Sequence, residues 1–242
     1  MEIKKDSGAP LYLQLIEILN DRIESEEIRS GEKIPSEREL SEIYSISRAT
    51  VRQALSELQR QGIIYKIQGK GNFVSQKRIN QELNGFYSFG DEVQKQGKKP
   101  GNRVLSLVLK ESGQAVGKKM GISNEEKVLV LSRIRLADGE AMMNEITYLP
   151  FERFIGLEES DLEEEGLYQI MKKKYGVKFS YAEESFYPCI LNDVEADILN
   201  VPSGSPGIVL ERYTYEGNKL IEYTKSIVRG DKFKYKVKLD IR

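Results

Sequence analysis

Apolar positions in the first part of the chain recur at helical spacing. Residues 9–24, APLYLQLIEILNDRIE, place one apolar stripe opposite polar side chains, which predicts an amphipathic helix with Pro10 in its first turn. A shorter helix is predicted over residues 37–44, because Ser36 followed by Glu39 forms a capping box. The chain therefore begins with two helices of unequal length.

A third helix is predicted over residues 48–61, capped by Ser47 and buried through Val51 and Leu58. Its first turns carry polar side chains on the outer side, namely Arg48, Thr50, Arg52 and Gln53. After Gly62 the pattern changes to period two in the segments IIYKI and NFVS, which predicts two short strands joined by a turn at QGKG. This order of elements is typical of a winged helix-turn-helix, in which the start of the last helix enters the major groove of DNA.

Charge along the chain is distributed unevenly. Residues 44–78 hold seven basic side chains and one acidic side chain, whereas residues 156–166 hold six acids and no base; the net charge of the whole chain is −1. A lone arginine-rich helix is more often a solvated surface than a DNA reader. The combination of a capped helix, a turn, a basic helix start and a basic wing favours DNA binding.

Beyond residue 85, segments with strand patterns alternate with short helical segments. They predict an antiparallel sheet of about six strands with helices on one side, which is an α+β domain. We therefore expect a winged helix-turn-helix domain over residues 1–75, a polar linker over residues 76–84 and a second domain over residues 85–242.

Arg133 and Arg135 are the main chemical feature of the second domain. At positions i and i+2 of a predicted strand they project from one face about 7 Å apart. Two guanidiniums on a face that begins apolar require an anion. The anion can come from a ligand or from the protein, for example from Glu145 on a half-exposed sheet, and the spacing leaves both alternatives open.

Other groups of the second domain could complete a small-molecule site. Ser88 is predicted to cap a helix over residues 89–96, which leaves backbone amides free near Phe86, Ser88 and Phe89. Glu145 and Glu222 are candidate polar groups for the rest of a ligand.

The register of one hairpin tests the inclusion of Glu145. A two-residue turn at Asp138-Gly139 would place Arg133 opposite Asn144 and would turn Glu145 to the other face of the sheet. For Glu145 to share a site with Arg133, the loop must have three or five residues or carry a bulge. We predict this odd-numbered arrangement.

The segment PLYLQL and the run IPSERELSEIYSISRATVRQALSELQRQGIIYKIQGKGNFV resemble the winged-helix domain of the GntR family of bacterial transcription regulators over residues 8–75. The resemblance implies that a dimer binds operator DNA, with Arg38, Arg48 and Arg52 on phosphates and base edges and the wing tip at Gly69 in the adjacent minor groove. The predicted DNA-binding residues are Arg38, Ser47, Arg48, Thr50, Arg52, Gln53, Gly69 and Lys70.

Residues 80–242 resemble the UTRA effector-binding domain of the HutC subfamily, whose fold is similar to chorismate lyase. The matching segments are FYSFGDE, RIRLADGEAMMNEITYLP and LIEYTKSIVRGDKFKY. The resemblance implies that one group of residues holds the acidic group of an effector, for which phosphorylated glucosamines are candidates, and that Glu145 and Glu222 read its hydroxyls. That group is Ser88, Phe89, Arg133 and Arg135. Two positions depart from the family pattern: Gly166, where a serine is frequent, and Val228, where an aromatic residue is frequent.

The composition removes several kinds of chemistry. The chain has no histidine and one cysteine, Cys189, which lies in the apolar run YPCIL and is expected to be core. No catalytic residue, metal site or cofactor is predicted. No apolar run is long enough to span a membrane and no leader precedes the first helix, so we expect a cytoplasmic protein.

These patterns predict a transcription repressor that acts as a homodimer. Its affinity for double-stranded operator DNA would be controlled by a small anionic metabolite, with a sugar phosphate favoured. One alternative is a lyase-like enzyme fused to a DNA-binding anchor. Another is a constitutive DNA-binding protein whose second domain only dimerises.

Overall fold

The computed structural model describes residues 3–5, 7–75, 78–83 and 85–239. The chain divides into two units, Met1–Lys77 and Arg78–Arg242, each with its own buried core. No helix in these described ranges has both the length and the apolarity needed to cross a lipid bilayer.

The first unit is built from three helices and a two-stranded hairpin, residues 64–74, which we call the wing. Its elements are α1 Leu11–Glu24, α2 Glu37–Tyr44, α3 Arg48–Arg60, β1 Ile64–Ile67 and β2 Gly71–Val74. The predicted capping box is present, since the Ser36 hydroxyl accepts from the Glu39 amide and the Glu39 carboxylate accepts from the Ser36 amide. Ser45 adopts a left-handed conformation that ends α2 and starts the turn into α3.

The wing contains more than the two predicted strands. β1 and β2 are antiparallel, and Gly69 and Gly71 take the positive φ angles that their tight connection requires. Residues 32–34 add a third edge, because the Ile34 amide donates to the Asn72 carbonyl and the Val74 amide donates to the Glu32 carbonyl. The predicted winged helix-turn-helix is confirmed.

The second unit is a large antiparallel sheet with short helices. Its elements are β3 Ile79–Glu82, α4 Phe89–Lys95, β4 Pro100–Glu111, α5 Gly113–Met120, β5 Lys127–Ala137, β6 Glu140–Pro150, a 3-10 turn Phe151–Arg153, α6 Glu159–Glu164, α7 Leu167–Lys173, β7 Tyr181–Ile190, α8 Asp193–Leu199, β8 Pro206–Glu216, β9 Lys219–Arg229 and β10 Phe233–Lys236. Six strands form one antiparallel sheet in the order β4-β5-β6-β9-β8-β7, which confirms the predicted α+β class.

Helices cover both faces of this sheet, so the prediction of helices on one side is wrong. On one face, Leu129 and Leu131 of β5 pack with α6 and α7. On the other, Val128 and Val130 of β5 pack with Met120 of α5. Further along the second face, α8 packs in a cluster that includes the half-buried Cys189 and Ile227. We call the side that carries Leu129 and Leu131 the α7 face.

The predicted linker over residues 76–84 also needs correction. Residues 79–82 form β3, which pairs in parallel with β10 and belongs to the second unit. The strand was missed because its partner lies about 150 residues later in the chain, so no local pattern marks the pairing. The remainder of the predicted linker includes Gln76, Lys77 and Asn84, which lie outside the described residues.

The β5–β6 hairpin carries a bulge. Ala137 pairs with Glu140 across a two-residue turn, but Arg135 pairs with Met143 and Leu136 pairs with Ala141, so Met142 is an extra residue. The extra residue restores Glu145 as the direct partner of Arg133. Of the two predicted ways to bring these side chains to one face, the structure uses the bulge.

Candidate functional site

The first candidate surface is the start of α3. Ser47 caps the helix by accepting from the Thr50 amide at 3.1 Å, and its hydroxyl lies 2.8 Å from the Thr50 hydroxyl. Arg48, Arg52 and Gln53 are exposed. The cap leaves the polar side chains of the first two turns available to a partner.

The three predicted DNA-binding arginines differ in their surroundings. Arg52 donates to the Glu37 carboxylate at 3.2 Å, which ties α3 to α2. Arg38 lies 3.9 Å from Glu42 on α2. Among the described residues Arg48 makes no ion pair, so its guanidinium needs no rearrangement to meet a phosphate.

The wing supplies another exposed cation. Lys70 lies in the turn between β1 and β2, next to Gly69, and both residues are exposed. A Cβ at Gly69 would have open space, so the glycine is needed for its φ of 76° rather than to avoid a neighbour.

The second candidate surface is a cavity of about 400 Å³ on the α7 face of the second unit. All seven residues predicted for an effector line it: Phe86, Ser88, Phe89, Arg133, Arg135, Glu145 and Glu222. The cavity has the size of a small-molecule site. The role of these residues in binding remains a prediction.

Two residues that line the cavity, Arg133 and Glu145, form an ion pair. Arg133 Nε donates to Glu145 Oε1 at 2.5 Å, Arg133 Nη2 contacts the same oxygen, and Arg135 Nη1 lies 3.6 Å from it. The Ser226 hydroxyl donates to the other oxygen of Glu145 at 3.4 Å. The sheet is not half-exposed here, because Arg133 and Glu145 are 3% and 8% exposed. The protein thus supplies one carboxylate for two guanidiniums.

Burial and the charges of neighbouring groups shift the pKa values of Arg135 and Glu145. Burial, with the neighbouring charge of Arg133, lowers the pKa of Arg135 to about 10. Burial alone would raise the pKa of Glu145, but Arg133 and Arg135 hold that pKa below its ordinary value. The Arg135 guanidinium also lies 5.1 Å from the centre of the Phe89 ring, at cation–π distance. At neutral pH both Arg135 and Glu145 are charged.

Four residues that line the cavity each contain one buried polar atom without a hydrogen-bond partner among the described residues. Three are donors, namely Arg133 Nη1, Arg135 Nε and Gln81 Nε2, and the fourth is the acceptor Asn102 Oδ1. Buried donors without acceptors are destabilising, so each of these groups needs a physical explanation. The three donors among them would be matched by oxygen acceptors.

A second charged cluster was missed in the sequence. Arg212 Nε donates to Glu184 at 2.6 Å, and Arg212 Nη1 donates to the Tyr168 hydroxyl at 2.8 Å and to the Tyr87 carbonyl at 3.0 Å. The partner Tyr168 donates in turn to Glu222 at 2.8 Å. Burial would lower the pKa of Arg212, but Tyr168 and Glu184 raise it well above the ordinary value. Arg212 and Glu184 are cross-strand partners, a signal that needs the register of β7 and β8.

The carboxylate of Glu222 is held by hydroxyl groups. Besides Tyr168, it accepts from Thr214 at 2.5 Å and from Thr224 at 2.9 Å, and it is 1% exposed. No lysine or arginine of the described chain lies within ion-pair distance of it. The cavity therefore has a second buried acidic side chain besides Glu145, and this one is bonded only to hydroxyl groups among the described residues.

Ser88 and Gly166 start the two helices beside the cavity. The Ser88 hydroxyl caps α4, accepting from the Asp91 amide at 3.1 Å and donating to the Asp91 carboxylate at 2.6 Å. Gly166 occupies the corresponding position of α7 and provides no side-chain cap. Phe86 stacks on Phe179 and lies against Tyr168. Phe86 and Tyr168 thus add aromatic surface to the lining of the cavity.

A winged helix-turn-helix with exposed cations, joined in one chain to a sheet domain with a polar cavity, defines a class of DNA-binding regulators that carry their own ligand-binding domain. The model for bacterial regulatory proteins of the gntR family matches residues 11–74, and the model for the UTRA domain matches residues 95–234. The chain belongs to the GntR family, in the group with a UTRA domain.

Known relatives agree with this assignment. The chain is 33% identical to the HTH-type transcriptional repressor NagR of Bacillus subtilis, over 97% of both chains. It is 26% identical to the mannosyl-D-glycerate transport/metabolism system repressor MngR of Escherichia coli, over 93% of this chain and 94% of the relative. The crystal structure of PhnF from Mycobacterium smegmatis matches with a TM-score of 0.67 at 27% identity, over 96% of this chain and 99% of that one. The chain is a transcription regulator and not an enzyme, which removes the lyase-like alternative.

Proposed function

We propose that the chain is a repressor whose affinity for operator DNA is controlled by a small anionic sugar, with a sugar phosphate favoured, bound in the cavity of the second unit. The observation that carries the proposal is the pair of buried guanidinium N–H groups, Arg133 Nη1 and Arg135 Nε, that lack partners. Phosphate and carboxylate oxygens are the acceptors that match such forks.

The rest of the cavity supports a polyhydroxylated ligand. Glu145 and Glu222 are acceptors for hydroxyl or amino groups, Asn102 Oδ1 needs a donor, and Phe86 and Phe89 offer apolar surfaces for a sugar ring. The E. coli relative is named for mannosyl-D-glycerate, a sugar that carries a carboxylate. An anionic sugar is thus the shared chemistry, and phosphorylated glucosamines are the first candidates.

The proposed DNA-bound form is a homodimer on a pseudo-palindromic operator. Arg38, Arg48 and Arg52 contact phosphates and base edges, Lys70 contacts the backbone and Gly69 approaches the minor groove. The effector acts by a shift of population, because it binds the DNA-incompetent arrangement better than the competent one. A thousandfold loss of operator affinity requires about 4 kcal/mol of coupling.

A ligand panel tests the proposal on the full-length chain. Thermal shift is measured with glucosamine 6-phosphate, glucose 6-phosphate, mannosyl-D-glycerate, glucosamine and inorganic phosphate. We expect an anionic sugar to raise the melting temperature more than glucosamine or phosphate alone. Absence of any shift with the anionic sugars would contradict the proposed ligand class.

Operator binding completes the test. Fluorescence anisotropy with DNA from the region upstream of the gene that encodes the chain should show tight binding, and the stabilising ligand should weaken it. Tight operator binding together with no binding of any ligand of the panel would favour the constitutive alternative, in which the second domain only dimerises. Size-exclusion chromatography with light scattering checks the dimer.

A further inference from the structure

Gln81 is an unexpected residue in the cavity. It lies on β3 and is 2% exposed, and it is one of the residues that line the same cavity as Arg133 and Arg135. Its Nε2 atom has no hydrogen-bond partner among the described residues. A buried amide with an unused donor needs a physical reason.

The alternation of β3 explains why this side chain points inward. Ile79 and Gln81 are buried and Asn80 and Glu82 are exposed, as expected for a strand with one covered face. Ile79 packs in the cluster that contains Phe89 and Phe233. Gln81 lies two residues further on the same face, and Phe89 and Phe233 of this cluster line the cavity with it.

An apolar residue would serve packing better than glutamine at this place. The strand is already held through its backbone, where Ile79 to Glu82 pair with β10. The amide donor of Gln81 adds nothing to that pairing and leaves a desolvated N–H group, which is destabilising. An oxygen acceptor on a molecule in the cavity accounts for the amide.

We propose that Gln81 donates a hydrogen bond from Nε2 to an oxygen of the effector, and that this contact links occupancy of the cavity to β3. The inference rests on the proposed function, since it requires an effector in this cavity. β3 begins five residues after Val74, the last residue of the wing strand β2. Along the chain, it is therefore the first element of the second unit, and the effector holds it directly.

The test compares two full-length variants with the wild type. Gln81→Met removes the donor while keeping an unbranched side chain of similar size. Asn80→Leu is the matched control, because Asn80 is exposed on the same strand and its only described bonds to Gln96 use the backbone. Each protein is measured for ligand-free melting temperature, affinity for glucosamine 6-phosphate and operator affinity at saturating glucosamine 6-phosphate.

We expect Gln81→Met to melt no lower than the wild type without ligand, because an unmatched polar group has been removed. Its affinity for glucosamine 6-phosphate should fall about tenfold, as for the loss of one buried hydrogen bond. At saturation it should release operator less completely than the wild type. Asn80→Leu should match the wild type in all three measurements.

Each other outcome overturns the inference. A lower ligand-free melting temperature of Gln81→Met would give Gln81 a structural role. Wild-type affinity in Gln81→Met would remove the contact, and weaker affinity with full release at saturation would remove the link to β3. If the wild type binds a different anionic sugar and Gln81→Met binds that sugar equally well, the inference fails while the proposed function stands. A wild type that binds no anionic sugar would remove the proposed function and this inference together.

Discussion

The arginines of the two units make opposite use of the same side chain. Arg48 and Arg52 lie exposed at the start of a short helix, where water solvates their charge. Arg133 and Arg135 are buried on a sheet, where one carboxylate serves both and two N–H groups lack partners. Exposed cations attract DNA over a distance and lower the folding stability little. Buried cations with unpaired N–H groups are destabilising unless an anion pairs with them.

The largest expected effect comes from breaking the buried pair. Arg133→Met leaves Glu145 with only the more distant Arg135, so the free energy of unfolding should fall by about 3 kcal/mol, measured by urea unfolding. Binding of the anionic sugar should be lost. In the triple variant Arg133→Met, Arg135→Met and Glu145→Met no uncompensated buried charge remains, so most of the stability should return, but binding should not. A triple variant as unstable as Arg133→Met alone would contradict the account of the cluster.

For α3 we expect the reverse, namely loss of operator binding without loss of stability. Arg48→Ala and Arg52→Ala should each weaken operator binding by about 1–3 kcal/mol, measured by anisotropy, with little change in urea unfolding. Arg60→Ala is the matched control, since Arg60 is an exposed arginine at the other end of α3, paired with Glu57. Equal losses in the control would mean that charge in general, and not the start of the helix, binds the operator.

Arg135→Met should separate function from stability within the cavity. Burial and Arg133 already disfavour its charge, and Glu145 keeps Arg133 as its main partner. We therefore expect the unliganded protein to gain up to about 1 kcal/mol in urea unfolding, while ligand binding is lost. A clear loss of stability would show that Arg135, like Arg133, is needed to neutralise Glu145.

The smallest effect concerns acid. The pKa of Glu145 in the folded protein lies below the ordinary value of 4.5, because Arg133 and Arg135 outweigh burial. Its contribution to stability is thus present above that value and is lost as the pH falls through the lower folded value. As the pH falls below about 4.5, the free energy of unfolding should therefore fall more steeply in the wild type than in Glu145→Gln. Parallel curves would contradict the shift.

Local signals explain what could be predicted from the sequence. The bounds of α2 come from a capping box and a short apolar stripe, and both are contained within ten residues. The start of α3 follows in the same way from Ser47. Arg133 and Arg135 could be found because strand alternation puts two charges on one face.

Features that depend on distant partners could not be read in this way. β3 exists only through its pairing with β10, so the position of Gln81 could not be predicted locally. Arg212 meets its partners Glu184 and Tyr168 only when β7, β8 and α7 are assembled. The two-sided covering of the sheet did leave a signal. Residues 128–131, VLVL, are apolar without alternation, which is typical of a strand buried on both faces.

The extra residue at Met142 means that the number of residues between Arg133 and Glu145 decides whether the two side chains lie on the same face of the sheet. Adding or deleting one residue near the tip would rotate Glu145 away from Arg133, whereas a change of two residues would keep them together. Substitutions along these strands therefore preserve the geometry of the ion pair more easily than insertion or deletion of a single residue between them. The same rule applies to any redesign of the cavity.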